Sequence, residues 1–341
     1  MCQIAAMHQQ IRGFLGLTPV LALAFALVPF AASAQLQGGA AWDNSAQDFR
    51  TQGGGGTPAA ARNASVDALN KILSTSQLPA VDRSVYLGIR AFQLSRLGRE
   101  ADSQKDIVEM GRVLPNAWQY VLSTTQADLA GGGDRATALR TLDYGLVRKP
   151  GDPWLVIGQG QIHMQIGDFP RAASLLDGAL AAASEPAVRR SALFNRGLAN
   201  FNLGNAPQAA EDFDAAVVGL TTLKQRLGYF LWRYAAQVPT RQDARAALNK
   251  DLGNENLYEW PGPIAKFLIG KLPAGELEVA AESDENAKRI NGKCVASFYI
   301  GMEAQRRGDK QRAREQLQLT QARCPTSSPF NYSASSALKR L

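Results

Sequence analysis

Residues able to carry enzymatic or metal chemistry are few in this chain. Its 341 residues include three cysteines and two histidines. Cys2 and His8 lie in an N-terminal segment that we expect to be removed, which leaves Cys294, Cys324 and His163. A histidine-rich metal site is then impossible, and any site built from Cys and His ligands would be minimal. The composition therefore predicts no metal, no cofactor and no enzymatic activity.

His163 is the one histidine available to a catalytic triad. In the repeat frame described below it occupies position 11 of a first helix, which is normally an apolar packing position. A partly buried structural histidine is therefore expected. Trp232 and Trp260 are expected to be core anchors rather than ligand contacts. The sequence contains no nucleophile elbow, paired carboxylates or metal-ligand spacing, so no catalytic residue is predicted.

Cys294 and Cys324 are predicted to form a disulfide. Two mature cysteines in an oxidising compartment are an even count, which favours pairing. Cys294 opens the first helix of the last repeat, and Cys324 follows its second helix. Because these helices run antiparallel, the two ends lie side by side, and a Cα separation of roughly 6 Å is feasible. The alternative is a pair of buried free thiols.

The N-terminus has the pattern of an export signal. Arg12 is the only charged residue before an apolar run from Phe14 to Phe30, and Ala32-Ser33-Ala34 precedes Gln35. This order is typical of a secretory signal peptide. A retained membrane anchor is disfavoured, because the run is short for a span of about 20 residues. We predict cleavage after Ala34 and a periplasmic mature protein, with secretion from the cell as the alternative.

The formal net charge is +7, and loss of Arg12 with the signal peptide lowers it to +6. We expect this charge to be spread along the chain without a basic block. The run Lys310–Arg314 and the pair Asp284-Glu285 are expected to be solvated helix faces and ends. Nucleic-acid binding needs a clustered basic face, so no nucleic-acid partner is predicted.

Internal repeats of about 34 residues dominate the chain. One unit places Gly197, Gly204 and Ala209 at repeat positions 8, 15 and 20, and Phe213 at position 24. Small residues at positions 8 and 20 let two helices approach, and the glycine near position 15 makes the turn. The same frame begins again at Ser84, Gln119, Pro153 and Cys294. This spacing is typical of the tetratricopeptide repeat (TPR) and predicts an all-α, right-handed solenoid of helix-turn-helix units.

The predicted domain layout has four parts. Residues 1–34 are the signal peptide, and residues 35–63 are a flexible leader rich in Gly, Ala and Gln. Residues 64–222 are a leading helix, Ser65–Thr75, followed by about four TPR units. Residues 223–341 hold degenerate helical repeats, a final TPR unit and a helix that caps the open end of the stack. Helices in this last part are predicted at Leu223–Val238, Arg241–Leu252, Ile264–Gly270, Ala274–Glu282 and Phe330–Leu341.

Several runs between residue 190 and the C-terminus follow a characteristic order. They are RGLANFNLGNAPQAAEDFDAA, FLWRYAA, EWPGPIAKFLIGKLPAGEL, SFYIGMEAQRRGDKQRAREQL and FNYSASSALKRL. This order resembles the new lipoprotein I (NlpI) family of periplasmic TPR adaptors. The resemblance implies a noncatalytic, dimeric scaffold that brings peptidoglycan endopeptidases to a tail-specific protease. Family members are outer-membrane lipoproteins, whereas this sequence lacks the lipobox cysteine.

TPR arrays bind extended or helical peptides on the face lined by the first helix of each pair. In this frame the lining positions hold aromatic, Met, Ile and amide side chains: Trp154, Ile157, Gln161, Met164, Phe194, Asn195, Phe201, Asn202, Phe298, Tyr299 and Met302. Such a mixture suits a groove that holds an apolar peptide and hydrogen-bonds its backbone. The alternative is that several of these side chains pack between repeats. No Lys/Asn set that would clamp a terminal carboxylate is found.

The sequence therefore predicts a noncatalytic periplasmic scaffold that binds partner proteins through its groove. The resemblance adds peptidoglycan hydrolases and a periplasmic protease as partners, and a homodimer as the oligomeric state. An alternative of another class is an envelope-assembly factor for secretins, pili or outer-membrane proteins. An enzyme or a carbohydrate binder would need a polar constellation that the sequence lacks.

Overall fold

A computed structural model describes residues 58–341, apart from residues 76, 241, 254, 256, 286 and 288–290. All regular secondary structure in this part of the chain is α-helical, which confirms the predicted all-α fold class. The predicted signal peptide, its cleavage site after Ala34 and the leader up to residue 57 lie outside the described residues.

The described residues contain sixteen helices and divide into two compact units. Unit 1 comprises residues 58–162 and unit 2 residues 163–341, with the boundary inside the sixth helix. The first six helices are α1 (Pro58–Leu73), α2 (Ala80–Arg96), α3 (Glu100–Val113), α4 (Trp118–Ala130), α5 (Arg135–Arg148) and α6 (Pro153–Gln165). The next five are α7 (Phe169–Ala182), α8 (Pro186–Leu203), α9 (Ala206–Ala216), α10 (Leu223–Gln237) and α11 (Ala244–Leu252). The last five are α12 (Gly262–Leu268), α13 (Ala274–Ser283), α14 (Gly292–Arg306), α15 (Lys310–Arg323) and α16 (Pro329–Lys339).

Consecutive helices pack in pairs, as helix-turn-helix repeats require. In unit 1, α2 packs on α3 and α4 packs on α5, and α2 also contacts α4 of the next pair. In unit 2 the pairs are α8 with α9, α10 with α11, and α14 with α15. Neighbouring helices thus bury one another's apolar stripes, which no single helix could bury alone.

Gly-Asp dipeptides set the turns that precede α7 and α15. Gly167 and Gly308 have φ angles of 81° and 79°, a backbone region that residues with a Cβ avoid. The aspartates that follow, Asp168 and Asp309, accept hydrogen bonds from the backbone N–H three residues later, at 3.2 and 3.0 Å. These N-caps fix the first residues of α7 and α15.

The predicted close approach at repeat position 8 is confirmed in two units. A Cβ added to Gly197 would lie 2.8 Å from the ring of Phe213, and one added to Gly301 would lie 3.0 Å from Leu317. Both distances are too short for an ordinary van der Waals contact. A small residue is therefore required where the first helix of the pair meets the second.

The predicted start of the leading helix is wrong. Residues 58–63, which we expected to be part of a flexible leader, belong to α1. Pro58 at the first helical position and the alanines that follow favour a helix, and Val66, Leu69 and Ile72 bury its apolar stripe. Further along, α11 begins at Ala244 rather than Arg241, because Asp243 caps it by accepting from the Ala246 N–H at 3.0 Å.

The predicted disulfide is confirmed. Cys294 and Cys324 are bonded, with their Cα atoms 5.1 Å apart. Cys294 lies in the first turn of α14, and Cys324 is the residue directly after α15. The bond therefore closes the α14–α15 pair at the end opposite its turn.

Candidate protein-binding surfaces

Most of the side chains predicted to line a peptide groove are buried. At most 7% of each residue's surface is exposed for Ile157, Met164, Asn195, Phe201, Asn202, Phe298, Tyr299 and Met302. The prediction that these eight line an open groove is wrong, because neighbouring helices cover their side chains. The other three, Trp154, Gln161 and Phe194, are half-buried.

We call the side of unit 2 on which α8, α10 and α14 meet its inner face, and an aromatic cluster fills it. Phe201, Trp232, Phe298 and Phe330 come from α8, α10, α14 and α16. The ring centroid of Trp232 lies 4.9 Å from Phe330, 5.2 Å from Phe298 and 6.0 Å from Phe201. Aromatic pairs at these distances add to the stability already gained from burial. First helices of separate repeats thus meet one another and enclose a core.

Helix α16 contacts a helix outside the last repeat, which a simple cap would not do. It packs on α14 and α15, as expected, and in addition on α8. Asn202 Nδ2 donates to Ser333 Oγ at 3.1 Å, and the Arg340 guanidinium donates to the Asn202 carbonyl at 3.2 Å. Arg340 also lies over the Phe201 ring at 5.2 Å. The amide and aromatic groups predicted to hold a peptide are therefore engaged by this helix.

Phe194 and Asn195 belong to the packing of α8 as well. The Phe194 ring lies 5.8 Å from Phe213 and 5.4 Å from Tyr229. Asn195 Nδ2 donates to the Ser191 carbonyl of its own helix at 2.9 Å. Within unit 2 the packing alternative therefore describes the predicted lining residues better than groove exposure does.

Glu303 of α14 is a buried carboxylate held by arginines. Its side chain is 2% exposed and accepts hydrogen bonds from Arg245 at 2.7 Å, Arg306 at 2.6 and 2.9 Å, and Arg307 at 2.7 Å. The Tyr234 hydroxyl donates to it from α10. Three positive charges around one negative charge leave this site with a net charge of +2.

The protonation of Glu303 follows from these contacts. Burial by itself favours the protonated acid, but hydrogen bonds from Arg306, Tyr234 and Arg307 outweigh it and lower the pKa of Glu303 to about 2. Burial, with the hydrogen bond to Glu303, raises the pKa of Tyr234. The site is therefore a charged structural cross-link between α10, α11 and α14 at neutral pH.

In unit 1 the first helices α4 and α6 meet at the pair Tyr120 and Trp154. Tyr120 lies in α4 and Trp154 in the first turn of α6, with ring centroids 4.8 Å apart in an edge-to-face arrangement. Trp154 is half-buried, whereas Tyr120 is 5% exposed. The two residues occupy the same position of consecutive 34-residue units. That equivalence could have identified Tyr120, which the sequence analysis missed.

Local interactions position Trp154. Asp152 caps α6 by accepting from the Trp154 N–H at 3.0 Å, and Lys149 pairs with that carboxylate at 3.1 Å. Gly158, one turn later, brings α6 against α4, since a Cβ there would lie 2.7 Å from Ser123 Oγ. The indole is thus held on a rigid helix start beside α4.

The Tyr120 hydroxyl is an orphaned polar group. Its oxygen is shielded from solvent and has no hydrogen-bond partner among the described residues. Burial raises the pKa of Tyr120 to about 12, so the hydroxyl stays a donor at neutral pH. An unsatisfied buried donor beside a half-buried indole is an arrangement in unit 1 that could engage a ligand.

The remaining candidates are structural. His163 is half-buried, and its Nδ1 lies 3.3 Å from the Asp168 carboxylate that caps α7. Trp232 and Trp260 are 1% and 8% exposed, which confirms their prediction as core anchors. Within the described part of the chain, no group of three His, Cys, Asp or Glu residues could hold a metal. In that same part, every helix is too short or too polar to cross a bilayer.

Comparison with known proteins gives one family match. Residues 157–222 match the tetratricopeptide repeat family. A TPR protein from Parabacteroides merdae is 17% identical, with a TM-score of 0.38 over 74% of this chain and 99% of its own. The C-terminal part of a TPR repeat-containing protein from Cytophaga hutchinsonii is 17% identical, with a TM-score of 0.32 over 80% and 94%. No curated protein matches the sequence.

The family match concerns tetratricopeptide repeats in general, so the resemblance to the NlpI family stays a prediction. Repeats of this kind are typical of noncatalytic scaffolds that bind other proteins. The chain is thus an all-α protein of helical hairpins whose residues 157–222 match the tetratricopeptide repeat family.

Proposed function

We propose that this protein is a noncatalytic scaffold of the periplasm that binds a peptide segment of a partner protein at Tyr120 and Trp154. The observation that carries the proposal is the buried Tyr120 hydroxyl, which has no hydrogen-bond partner in the part of the chain that the structure describes. Leaving such a group unsatisfied costs about 1–3 kcal/mol. Because this hydroxyl is shielded in the unbound protein, binding requires the side chains around it to move. A carbonyl of the peptide then accepts its hydrogen bond, and an apolar side chain of the peptide packs on the Trp154 indole.

Two further features support the proposal. The inner face of unit 2 is filled by its own aromatic cluster and by α16, which leaves unit 1 as the better candidate. The bonded pair Cys294 and Cys324 fits an oxidising compartment such as the periplasm. The export signal in residues 1–34 predicts the same location.

A pair of conservative variants tests the site. Tyr120→Phe removes only the orphaned hydroxyl, so the free energy of unfolding should stay unchanged or rise by up to about 1 kcal/mol. Partner affinity should fall about five- to tenfold, since the peptide carbonyl loses its donor. Trp154→Ala should weaken binding by about 1–3 kcal/mol. Tyr258→Phe, at a tyrosine that is 78% exposed in unit 2, is the matched control and should change neither quantity.

Photo-crosslinking identifies the partner. A benzoylphenylalanine at position 154 is irradiated in intact cells, with the same residue at position 258 as the control. The NlpI resemblance makes peptidoglycan hydrolases and a periplasmic protease the expected partners. Secretin, pilus or barrel-assembly subunits at position 154 would instead favour the envelope-assembly alternative. If Tyr120→Phe and Trp154→Ala both left the affinity for the captured partner unchanged, the proposed site would be wrong.

A further inference from the structure

Nearly all of the net positive charge lies in the last three helices. Residues 292–341 contain nine Lys or Arg and three Asp or Glu, a net charge of +6, whereas the whole chain carries +7. The expectation that the charge is spread without a basic block is therefore wrong. The rest of the sequence is close to neutral, so this part of unit 2 dominates the electrostatic field of the protein.

The fold gathers much of this charge at one end of unit 2. Helix α14 ends at Arg306, and α15 begins four residues later at Lys310. Lys310 Nζ and the Arg314 guanidinium donate to the Leu341 main-chain oxygen at 3.1 and 3.4 Å, which places the end of α16 beside the start of α15. We define the basic end of unit 2 by its exposed members: Arg307, Lys310, Arg312, Arg314 and Lys339.

Helix stability does not explain these positions. A helix N-terminus carries a partial positive charge and is stabilised by acidic residues. The first turns of α15 instead hold Lys310, Arg312 and Arg314, and its first turn has no acidic residue. Within the described residues, neither Arg312 nor Arg314 pairs with an Asp or Glu side chain, and Arg314 donates to the Leu341 main-chain oxygen. The dipole thus opposes Lys310 and Arg312 in the first turn, and the exposed guanidinium groups of Arg312 and Arg314 keep donors that an outside partner could use.

The contacts of Glu303 show how other arginines of unit 2 bind a carboxylate. Two nitrogens of Arg306 donate hydrogen bonds to that carboxylate, and Arg307 and Arg245 donate one hydrogen bond each. Guanidinium groups pair with carboxylates in this forked geometry better than lysine does. The donor groups of Arg312 and Arg314 are of the same kind and lie at the surface.

We propose that the basic end of unit 2 binds an Asp- and Glu-rich segment of a partner protein. The inference goes beyond the proposed function, since it concerns a different surface and a different ligand chemistry. Exposed guanidinium groups would pair with the carboxylates of the segment. Because the five cations are spread over two helices and a turn, the basic end could bind several of these carboxylates. Because these charges are exposed, salt should weaken the interaction.

The test compares two double charge reversals in the full-length mature protein. Arg312→Glu/Arg314→Glu alters the basic end. Arg171→Glu/Arg189→Glu is the matched control: both arginines are exposed in the first turns of α7 and α8 in the same unit, and the change in net charge is identical. Arg171 even follows a capping aspartate by three residues, as Arg312 does. Arg314→Glu also removes the hydrogen bond to the Leu341 oxygen, so thermal melting checks that both double variants are folded, and the single variant Arg312→Glu, which keeps that bond, is measured beside them.

The probe is a short fluorescein-labelled peptide in which Glu and Asp alternate with Ser, and binding is measured by fluorescence anisotropy. We expect saturable binding that weakens as salt is raised, a loss of about tenfold or more in the basic-end variant, and less than about twofold in the control. A peptide with Gln and Asn in place of the acids should not bind. The Trp154→Ala variant should bind the acidic peptide normally, which separates this inference from the proposed function.

Three results would overturn the inference: no binding of the acidic peptide, equal losses in the two double variants, or equal binding of the amide peptide. Vesicles of phosphatidylglycerol and phosphatidylcholine serve as the second probe. If they bind through Arg312 and Arg314 while the peptide does not, the basic end recognises an anionic membrane and the proposal is wrong.

Discussion

Replacing Glu303 by Gln should destabilise the protein in a pH-dependent way. The pKa of Glu303 lies at about 2, below its ordinary value of 4.5, because hydrogen bonds from Arg306, Tyr234 and Arg307 outweigh the cost of burial. A group whose pKa is lower in the folded protein stabilises the fold when it is ionised. This stabilisation is complete above pH 4.5 and is lost as the pH falls from there through about 2.

The size of the effect follows from the two pKa values. A decrease from 4.5 to about 2 corresponds to about 3 kcal/mol of stability at pH 7. The side chain of Glu303 is 2% exposed, so solvent screens little of its interaction with Arg306 and Arg245. Arg307 is 57% exposed and adds less. At pH 3 less than half of the pH 7 value should remain, about 1–1.5 kcal/mol.

Urea denaturation at pH 7, 5 and 3 measures this contribution as the difference between wild type and Glu303→Gln. Other groups that titrate in this range are shared by both proteins, so their effects cancel in the difference. Glu315→Gln, at an exposed glutamate of α15, is the control and should cost less than about 0.5 kcal/mol at each pH. A wild-type advantage over Glu303→Gln that is as large at pH 3 as at pH 7 would refute the proposed ionised cross-link.

Three other predictions concern the folding and processing of the chain. Phe330→Ala should lower the free energy of unfolding by about 3–5 kcal/mol in urea, because it removes the ring stacked on Trp232; a loss below about 1 kcal/mol would show that α16 is not docked there. Reducing the Cys294–Cys324 bond, which spans 30 residues, should cost about 3–4 kcal/mol by the chain-entropy model, and an unchanged melting temperature would contradict this. Mass spectrometry of the exported protein should find Gln35 as its first residue, and an intact Met1 would exclude the predicted cleavage.

The repeat architecture could be predicted because its determinants are local. Gly197 and Phe213 lie within one helical pair, so their contact depends only on the turn between them. The disulfide was predictable for the same reason, since Cys294 and Cys324 flank a single antiparallel pair. Such features repeat with the period of the unit, and one chain provides several copies to compare.

The peptide groove could not be predicted in this way. A lining position is exposed or buried according to how closely successive pairs pack, and small rotations at each pair accumulate along an array. Asn202 contacts Ser333, which lies 131 residues later in the chain. A repeat pattern cannot predict a contact between such distant residues. The pattern at Phe201 and Phe298 is therefore the same as that of residues that line an open groove.

The all-α class, the positions of most helices, the disulfide and the shortage of catalytic groups could all be predicted from the amino-acid sequence. These follow from residue types and from spacings within one repeat. Three features depend on the folded chain: α16 closes the inner face of unit 2, the Tyr120 hydroxyl has no partner among the described residues, and three arginines enclose Glu303. Burial and charge at these sites depend on residues brought together from distant helices, and a linear spacing carries no information about which distant helices meet.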